Sequence, residues 1–307
     1  MAGLTEATVE QVFVVGRRKS LIGVTTQQTS ASNPGGLPMV VILNAGIIHR
    51  VGPNRMSVKL ARALAAAGLS TLRFDLSGIG DSEARSDALA PLQAALADIR
   101  EVLDELEASR SIDRFVLLGL CSGANHAALY GGSDPRVVGL VLLDPSVPRT
   151  RKFYVKHYGR RLLNIRAWFN LIRGRHPIWH SLRIRGAGSG KFEQGNWRPS
   201  LESREVRLFL EGEYAKSLRQ RNQILAIFTA GQEARHNYRE QILDAFPNLS
   251  FGPQLTLEYF KNADHEFTSE REQADLVRRV VDWMKAANFR PRDPQVQNAP
   301  EANESVV

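Results

Sequence analysis

Cysteine is almost missing from this sequence: 307 residues contain one, Cys121. A single thiol excludes an internal disulfide and a cysteine-based metal site, and it points to a reducing compartment. Long apolar runs are missing too, since none approaches the roughly 20 residues that span a bilayer. The stretch MAGLTEATVEQVFVVG carries two glutamates and lacks the charged-then-apolar pattern of a secretory leader. A cytoplasmic location is the expectation. Carboxylates are scarce in one region only. From Arg149 to Arg198 there are 13 Lys/Arg against Glu193 alone, so this segment carries +12 of a net charge of +8, and the remainder carries −4. The chain is a mildly acidic body with one strongly basic insert. It contains no repeats and no recognised nucleic-acid fold, so nucleic acid is not an expected partner.

What is present alternates between short β-rich runs and helical patterns. Phe13–Gly16 and Leu21–Thr25 predict a hairpin around Arg17–Ser20. Asn33–Gly36 is a loop. Buried strands are expected at Val40–Leu43, Leu69–Leu76, Phe115–Leu120, Val137–Leu143, Gln223–Ala230 and Leu255–Phe260. Between them the spacing predicts helices over Met56–Gly68, Ala88–Ser109, Gly123–Gly132, Tyr238–Phe246 and Glu270–Ala287. Such alternation implies a mostly parallel sheet covered on both faces, with ligands beyond the carboxyl ends of its strands. The expected domains are a core of residues 1–148 and 223–290, a basic helical cap over 149–222, and a disordered tail over 291–307.

The chemistry centres on Gly119-Leu120-Cys121-Ser122-Gly123, a G-x-C-x-G pattern between a strand and a helix. A nucleophile on a strained strand-to-helix turn needs tiny neighbours two positions either side, where backbones converge. With Cys121 as nucleophile those positions are Gly119 and Gly123, and both fit. With Ser122 they would be Leu120 and Ala124, and leucine would clash. Cys121 is therefore the expected nucleophile, against the alternative of a buried, inert cysteine.

His265, in Asn262-Ala263-Asp264-His265-Glu266-Phe267 after the last strand, is placed to swing over the sheet edge as general base. An imidazole beside the thiol and the helix N-terminus below it would favour the thiolate. His49, His126, His157, His176, His180 and His236 do not share that position, although His126 could line the pocket. The carboxylate behind His265 is expected to be Glu233, the only acid in Thr229–Ala234; Asp144, ending the preceding strand, is its rival. A dyad without an acid stays open, because a thiolate–imidazolium pair needs less help than a serine. The oxyanion hole is expected from the N–H of Ser122 and that of Gly46 or Ile47.

These residues, with Asp75-Leu76-Ser77-Gly78-Ile79-Gly80-Asp81-Ser82, which is similar to a D-x-R-G-x-G-x-S loop, make residues 13 to 288 resemble an α/β-hydrolase. Cysteine at the nucleophile position resembles the dienelactone hydrolases. Asn44-Ala45-Gly46, His49-Arg50-Val51-Gly52-Pro53 and the insert's Tyr158-Gly159-Arg160-Arg161-Leu162-Leu163, Trp168 and Gly174 are closer to hydrolases associated with bacterial exosortase systems. The resemblance implies the α/β-hydrolase fold, a mostly parallel doubly wound sheet with a helical cap insert. Two departures stand out: Gly231-Gln232-Glu233-Ala234 lacks the aspartate of a G-x-x-D loop, and Ser77 replaces an arginine.

The expected function is hydrolysis of an ester or thioester through a cysteinyl acyl-enzyme, without cofactor or metal. The alternatives are an acyltransferase with an amine or alcohol acceptor, and a non-catalytic binding protein on the same fold. The cap interleaves arginines with Phe153, Tyr154, Tyr158, Trp168, Phe169, Ile172 and Trp179. It fits a solvated basic face, a docking surface for an acidic acyl-carrier protein or coenzyme A phosphates, or a peripheral contact with anionic lipid. The substrate is expected to be a small or carrier-bound acyl compound.

Overall fold

Apolar runs buried on both faces along the central strands and i, i+4 burial along the helices build the fold. The computed structural model describes residues 7–15, 20–29, 37–162 and 201–289. Strands β1 (Thr8–Val15), β2 (Leu21–Gln28), β3 (Met39–Leu43), β4 (Thr71–Phe74), β5 (Phe115–Leu120), β6 (Val137–Leu143), β7 (Gln223–Thr229) and β8 (Leu255–Phe260) form one sheet. Its order is β1-β2-β4-β3-β5-β6-β7-β8. β2 runs antiparallel to both neighbours, and the pairs from β4 through β3 to β8 are parallel.

The central strands are apolar throughout because both faces are covered. Val116, Leu118 and Leu120 of β5 point to one face, where they meet α1 (Met56–Ala66) and a C-terminal helix at Glu270–Ala286. Phe115 and Leu117 point to the other, against α2 (Pro91–Arg110) and α3 (Ser122–Gly131). Helix α1 buries Met56, Leu60 and Leu64 at helical spacing. Helix α2 starts later than its apolar pattern because Pro91 suits the first helical position, and it ends at Ser111 in left-handed backbone.

The insert divides in two. Helix α4 (Arg151–Leu162) follows β6, its first turn capped by the Thr150 hydroxyl, which accepts from the Phe153 N–H at 3.1 Å. Helix α5 (Arg204–Arg219) instead packs on α3, with Tyr214 buried against Phe246 and Phe251. It lies within the expected insert of residues 149–222 and packs on the core. β6 and β7 are parallel neighbours, their crossover needs a covering helix, and α5 supplies it. The remaining helices are α6 (Gln241–Ala245) and α7 (Glu270–Ala286). The predicted turn at 17–19, the loop at 33–36, the cap aromatics Trp168, Phe169, Ile172 and Trp179, and the tail from 291 lie outside the described residues. No helix among the described residues is long and apolar enough to cross a membrane.

The turn after β5 depends on close backbone approach. A Cβ on Gly119 would overlap the Gly123 carbonyl carbon, and one on Gly123 would sit 2.5 Å from the Asn44 carbonyl oxygen. Neither neighbour is a flexible side chain, so the turn has no room to yield. Gly123→Ala is expected to destabilise the fold by about 2–3 kcal/mol, seen as a lower urea midpoint at unchanged m-value.

Candidate active site

Strand β5 delivers Cys121 to the carboxyl edge in a backbone conformation of φ 58° and ψ −112°, a region that non-glycine residues enter only under constraint. The constraint is visible on both sides. The Cys121 N–H donates to the Leu143 carbonyl of β6 at 2.9 Å, and its own carbonyl accepts from the Asn125 N–H of α3 at 3.1 Å. The thiol is half-buried at the start of α3.

His265 arrives from the β8–α7 loop, held by its neighbour. The Asp264 carboxylate accepts from the N–H groups of Glu266 (3.1 Å) and Thr268 (3.0 Å) and from the Thr268 hydroxyl. Phe267 anchors the far side, fully buried with φ 50°, and its carbonyl accepts from Gln273 Nε2 at 2.7 Å. The imidazole lies beside the Cys121 thiol, close enough for each group to shift the other's pKa. Its Nδ1 lies 2.8 Å from Asp144 Oδ2. A carboxylate only accepts, so Nδ1 carries the proton and Nε2 faces the sulfur.

The carboxylate behind His265 is thus Asp144 rather than Glu233, a correction to the preferred reading. Glu233 is exposed at the end of the short 3-10 turn Ala230–Gln232. The chain there does run behind His265, because a Cβ on Gly231 would lie 2.6 Å from the Asp264 Cα. Asp144 occupies the Nδ1 position because it is woven into β7. Its N–H donates to the Ile227 carbonyl at 2.8 Å, and its oxygens accept from the Thr229 N–H and Thr229 hydroxyl, both at 2.7 Å. At φ 47° its backbone turns the side chain back across the strand ends, a conformation aspartate tolerates better than most residues.

Electrostatics follow the geometry. The bond to Asp144, then that to Cys121, pushes the His265 pKa from 6.5 up to about 9 against the cost of burial. The His265 bond holds the Cys121 thiol below its ordinary value despite burial, with help from the Arg235 guanidinium and the Ser122 N–H. Burial alone would raise Asp144; bonds from His236, His265 and Thr229 outweigh it and keep the acid below its usual range. The charged pair therefore persists between the lowered thiol value and about pH 9. His265, raised on folding, loses its stabilising contribution as pH rises through about 9; Cys121, lowered on folding, loses its own as pH falls through its folded value. Thermal melts should show the largest advantage of wild type over His265→Gln inside that window, shrinking on both sides.

The expected oxyanion donors also meet here. The Gly46 N–H, in left-handed backbone at φ 59°, donates to Ser122 Oγ at 2.6 Å. Ile47 is 89% exposed. The loop carrying both is fastened by Asp75, which is fully buried and accepts from Asn44 Nδ2 (3.0 Å), the Arg50 N–H (2.6 Å), the Arg50 guanidinium and the Asp81 N–H (3.2 Å). Ser77, where the resemblance expects arginine, donates through N–H and hydroxyl to buried Asp98 of α2, and Arg85 supplies the charge there. His49, Asp75 and Asp81 form the one cation-like cluster among the described residues. The Arg50 guanidinium already sits on both carboxylates, so the cluster is an ion-pair network. His126 is on α3, partly buried, with an unpartnered Nδ1.

The sequence reading passed over His236, which is 2% exposed and contacts Asp144 from behind. No local signal marked it, because its position in a loop after β7 says nothing about which side its ring takes.

Comparison with known proteins bears on the fold. No curated protein sequence matches the chain significantly. Among solved structures, dienelactone hydrolase from Anabaena variabilis superposes with a TM-score of 0.57 at 13% identity, covering 94% of this chain and 100% of that one. The lidless serine hydrolase XC6422 from Xanthomonas campestris gives 0.52 at 15%, covering 94% and 98%. A cold-adapted esterase from an Arctic intertidal metagenomic library gives 0.53 at 15%, covering 92% and 96%. At such identities these neighbours speak for the fold. A model of the alpha/beta hydrolase family matches residues 44–293, from the end of β3 to beyond α7, and on that match the chain belongs to the alpha/beta hydrolase family.

Proposed function

We propose that this protein is an acyl-transfer hydrolase that cleaves an ester or thioester through a Cys121 acyl-enzyme. The observation that carries the reading is the meeting of three groups at the sheet's carboxyl edge: the Cys121 thiol, the His265 imidazole beside it, and Asp144 Oδ2, 2.8 Å from His265 Nδ1. The thiolate attacks the acyl carbonyl, forming a C–S bond and a tetrahedral oxyanion. The Ser122 N–H and the Gly46 N–H stabilise that oxygen, the second once the Ser122 hydroxyl turns away from it. The C–O or C–S bond to the leaving group breaks, and His265 gives its proton to the departing oxygen or sulfur. A water then enters. His265 takes its proton as the hydroxyl adds to the acyl carbon, the C–S bond breaks, and the thiolate returns with the carboxylic acid as product.

The substrate side is supported by charge. Arg149, Lys152 and Lys156 lie on and just before α4, which follows β6, with both lysine ammoniums within 5 Å of the Tyr238 ring centre, at 4.5 and 4.9 Å. An acyl group carried on an acidic protein or on coenzyme A suits such a rim.

Iodoacetamide tests the nucleophile directly. Cys121 is expected to alkylate rapidly at neutral pH, with an acid limb well below the ordinary thiol value of about 8.5. A profile that follows a free thiol would refute the reading.

A further inference from the structure

The acid of the proposed triad serves two imidazoles. His236 Nε2 lies 3.0 Å from Asp144 Oδ1, while His265 Nδ1 lies 2.8 Å from Oδ2. The same His236 nitrogen lies 3.1 Å from the Thr229 carbonyl. Carbonyl and carboxylate oxygens only accept, so Nε2 carries the proton: it hydrogen-bonds the Thr229 carbonyl and lies in close polar contact with Asp144 Oδ1. The ring is clamped where it stands: Phe228 meets it at 4.8 Å and 61°, and its backbone N–H donates to the Gln232 carbonyl at 3.0 Å. Asp144 Oδ2 therefore accepts from the Thr229 hydroxyl and His265, while Oδ1 accepts from the Thr229 N–H and has the His236 Nε2–H beside it at 3.0 Å.

We propose that His236 is a positioning residue for the acyl transfer, its buried Nε2–H holding the Asp144 carboxylate ionised and oriented so that Oδ2 stays in line with His265 Nδ1. The inference rests on the proposed Cys121–His265–Asp144 reading. A carboxylate held at one oxygen swings about its Cγ bond, and a donor on the other oxygen stops the swing. The ionisable groups around His236 are Asp144 and, beyond it, His265 and Cys121; Glu233 and Arg235 on its own turn are exposed, and Arg149 Nε binds that turn at the Ala234 carbonyl.

His236→Phe removes the donor and keeps the ring; His236→Gln returns an N–H. The Phe variant is expected to lose about 10- to 100-fold in kcat with KM within about threefold. Its Asp144 binds a proton more readily, and a neutral Asp144 no longer holds His265 charged. The acid limb of Cys121 alkylation therefore moves to higher pH, by about one unit. The Gln variant should recover most of both. Equal losses in the two variants with an unmoved acid limb, or a Phe variant with wild-type kcat, would overturn the proposal. Should the Phe variant fail to fold, nitrogen NMR of wild type decides: His236 resonances must shift with the midpoint of the alkylation acid limb, and indifference to it refutes the role. A wild type whose Cys121 alkylates as a free thiol sinks the functional reading itself, whereas a reactive wild type with unaffected variants sinks only His236.

Discussion

Cys121→Ala is expected to remove turnover of activated acyl esters and thioesters, by about 10⁴-fold or more in kcat/KM, while leaving the fold intact. The size follows from chemistry, since the acyl group has no other atom to bond to. Ser122, the adjacent hydroxyl, is pointed at the Gly46 N–H rather than at His265. The fold should survive because alanine accepts the φ of 58° about as well as cysteine does, and the glycines that make the turn are untouched. A thermal midpoint within a few degrees of wild type would confirm that the loss is chemical. Intact-mass detection of an acyl adduct after mixing wild type with a small thioester supplies the positive counterpart, and the adduct must vanish in the variant. Full activity in Cys121→Ala would transfer the chemistry elsewhere and end the cysteine assignment.

Asp144→Asn should cost about 10³- to 10⁴-fold in kcat, whereas Glu233→Gln should stay within about threefold of wild type. Asp144 is 4% exposed, accepts from the Thr229 N–H, the Thr229 hydroxyl and His265, and has His236 Nε2 at 3.0 Å. An asparagine there presents an NH₂ to donors on one side, against either His265 or His236. Facing His265, it forces the proton from Nδ1 to Nε2, and the base is lost. Facing His236 and the Thr229 N–H, it leaves buried donors unsatisfied, which lowers the melting temperature as well. Glu233 offers the contrast, because it is exposed and the Nδ1 position is already taken. If Glu233→Gln were the crippling substitution and Asp144→Asn the mild one, the order of the two carboxylates given by the geometry would be reversed.

What the sequence determined by itself was local. Continuous apolar runs such as Phe115–Leu120 each encode a strand buried on both faces, and i, i+4 patterns such as Met56, Leu60 and Leu64 a helix and the face it buries, so strands, helices and the parallel sheet could be read directly. The elbow was legible for the same reason. Gly119 and Gly123 lie within two residues of Cys121, and the steric demand that selects them acts across that short span. His265 could be placed because a loop between the last strand and last helix has one edge on which to emerge.

The tertiary structure decided every question that turned on the approach of separate strands. Which carboxylate stands behind His265 depended on a φ of 47° at Asp144 and on bonds to Thr229, 85 residues away. His236 joined the site through its ring orientation, which no spacing encodes. Arg50, 25 residues from Asp75, became the clamp on the oxyanion loop in the same way. Helix α5, which falls inside the span the sequence assigned to the insert, was placed in the core layer by the apolar pocket around Tyr214. Periodicity records how each segment faces its own layer. Side-chain convergence at the strand ends is a product of sheet order and backbone turns, and only the folded chain brings those together.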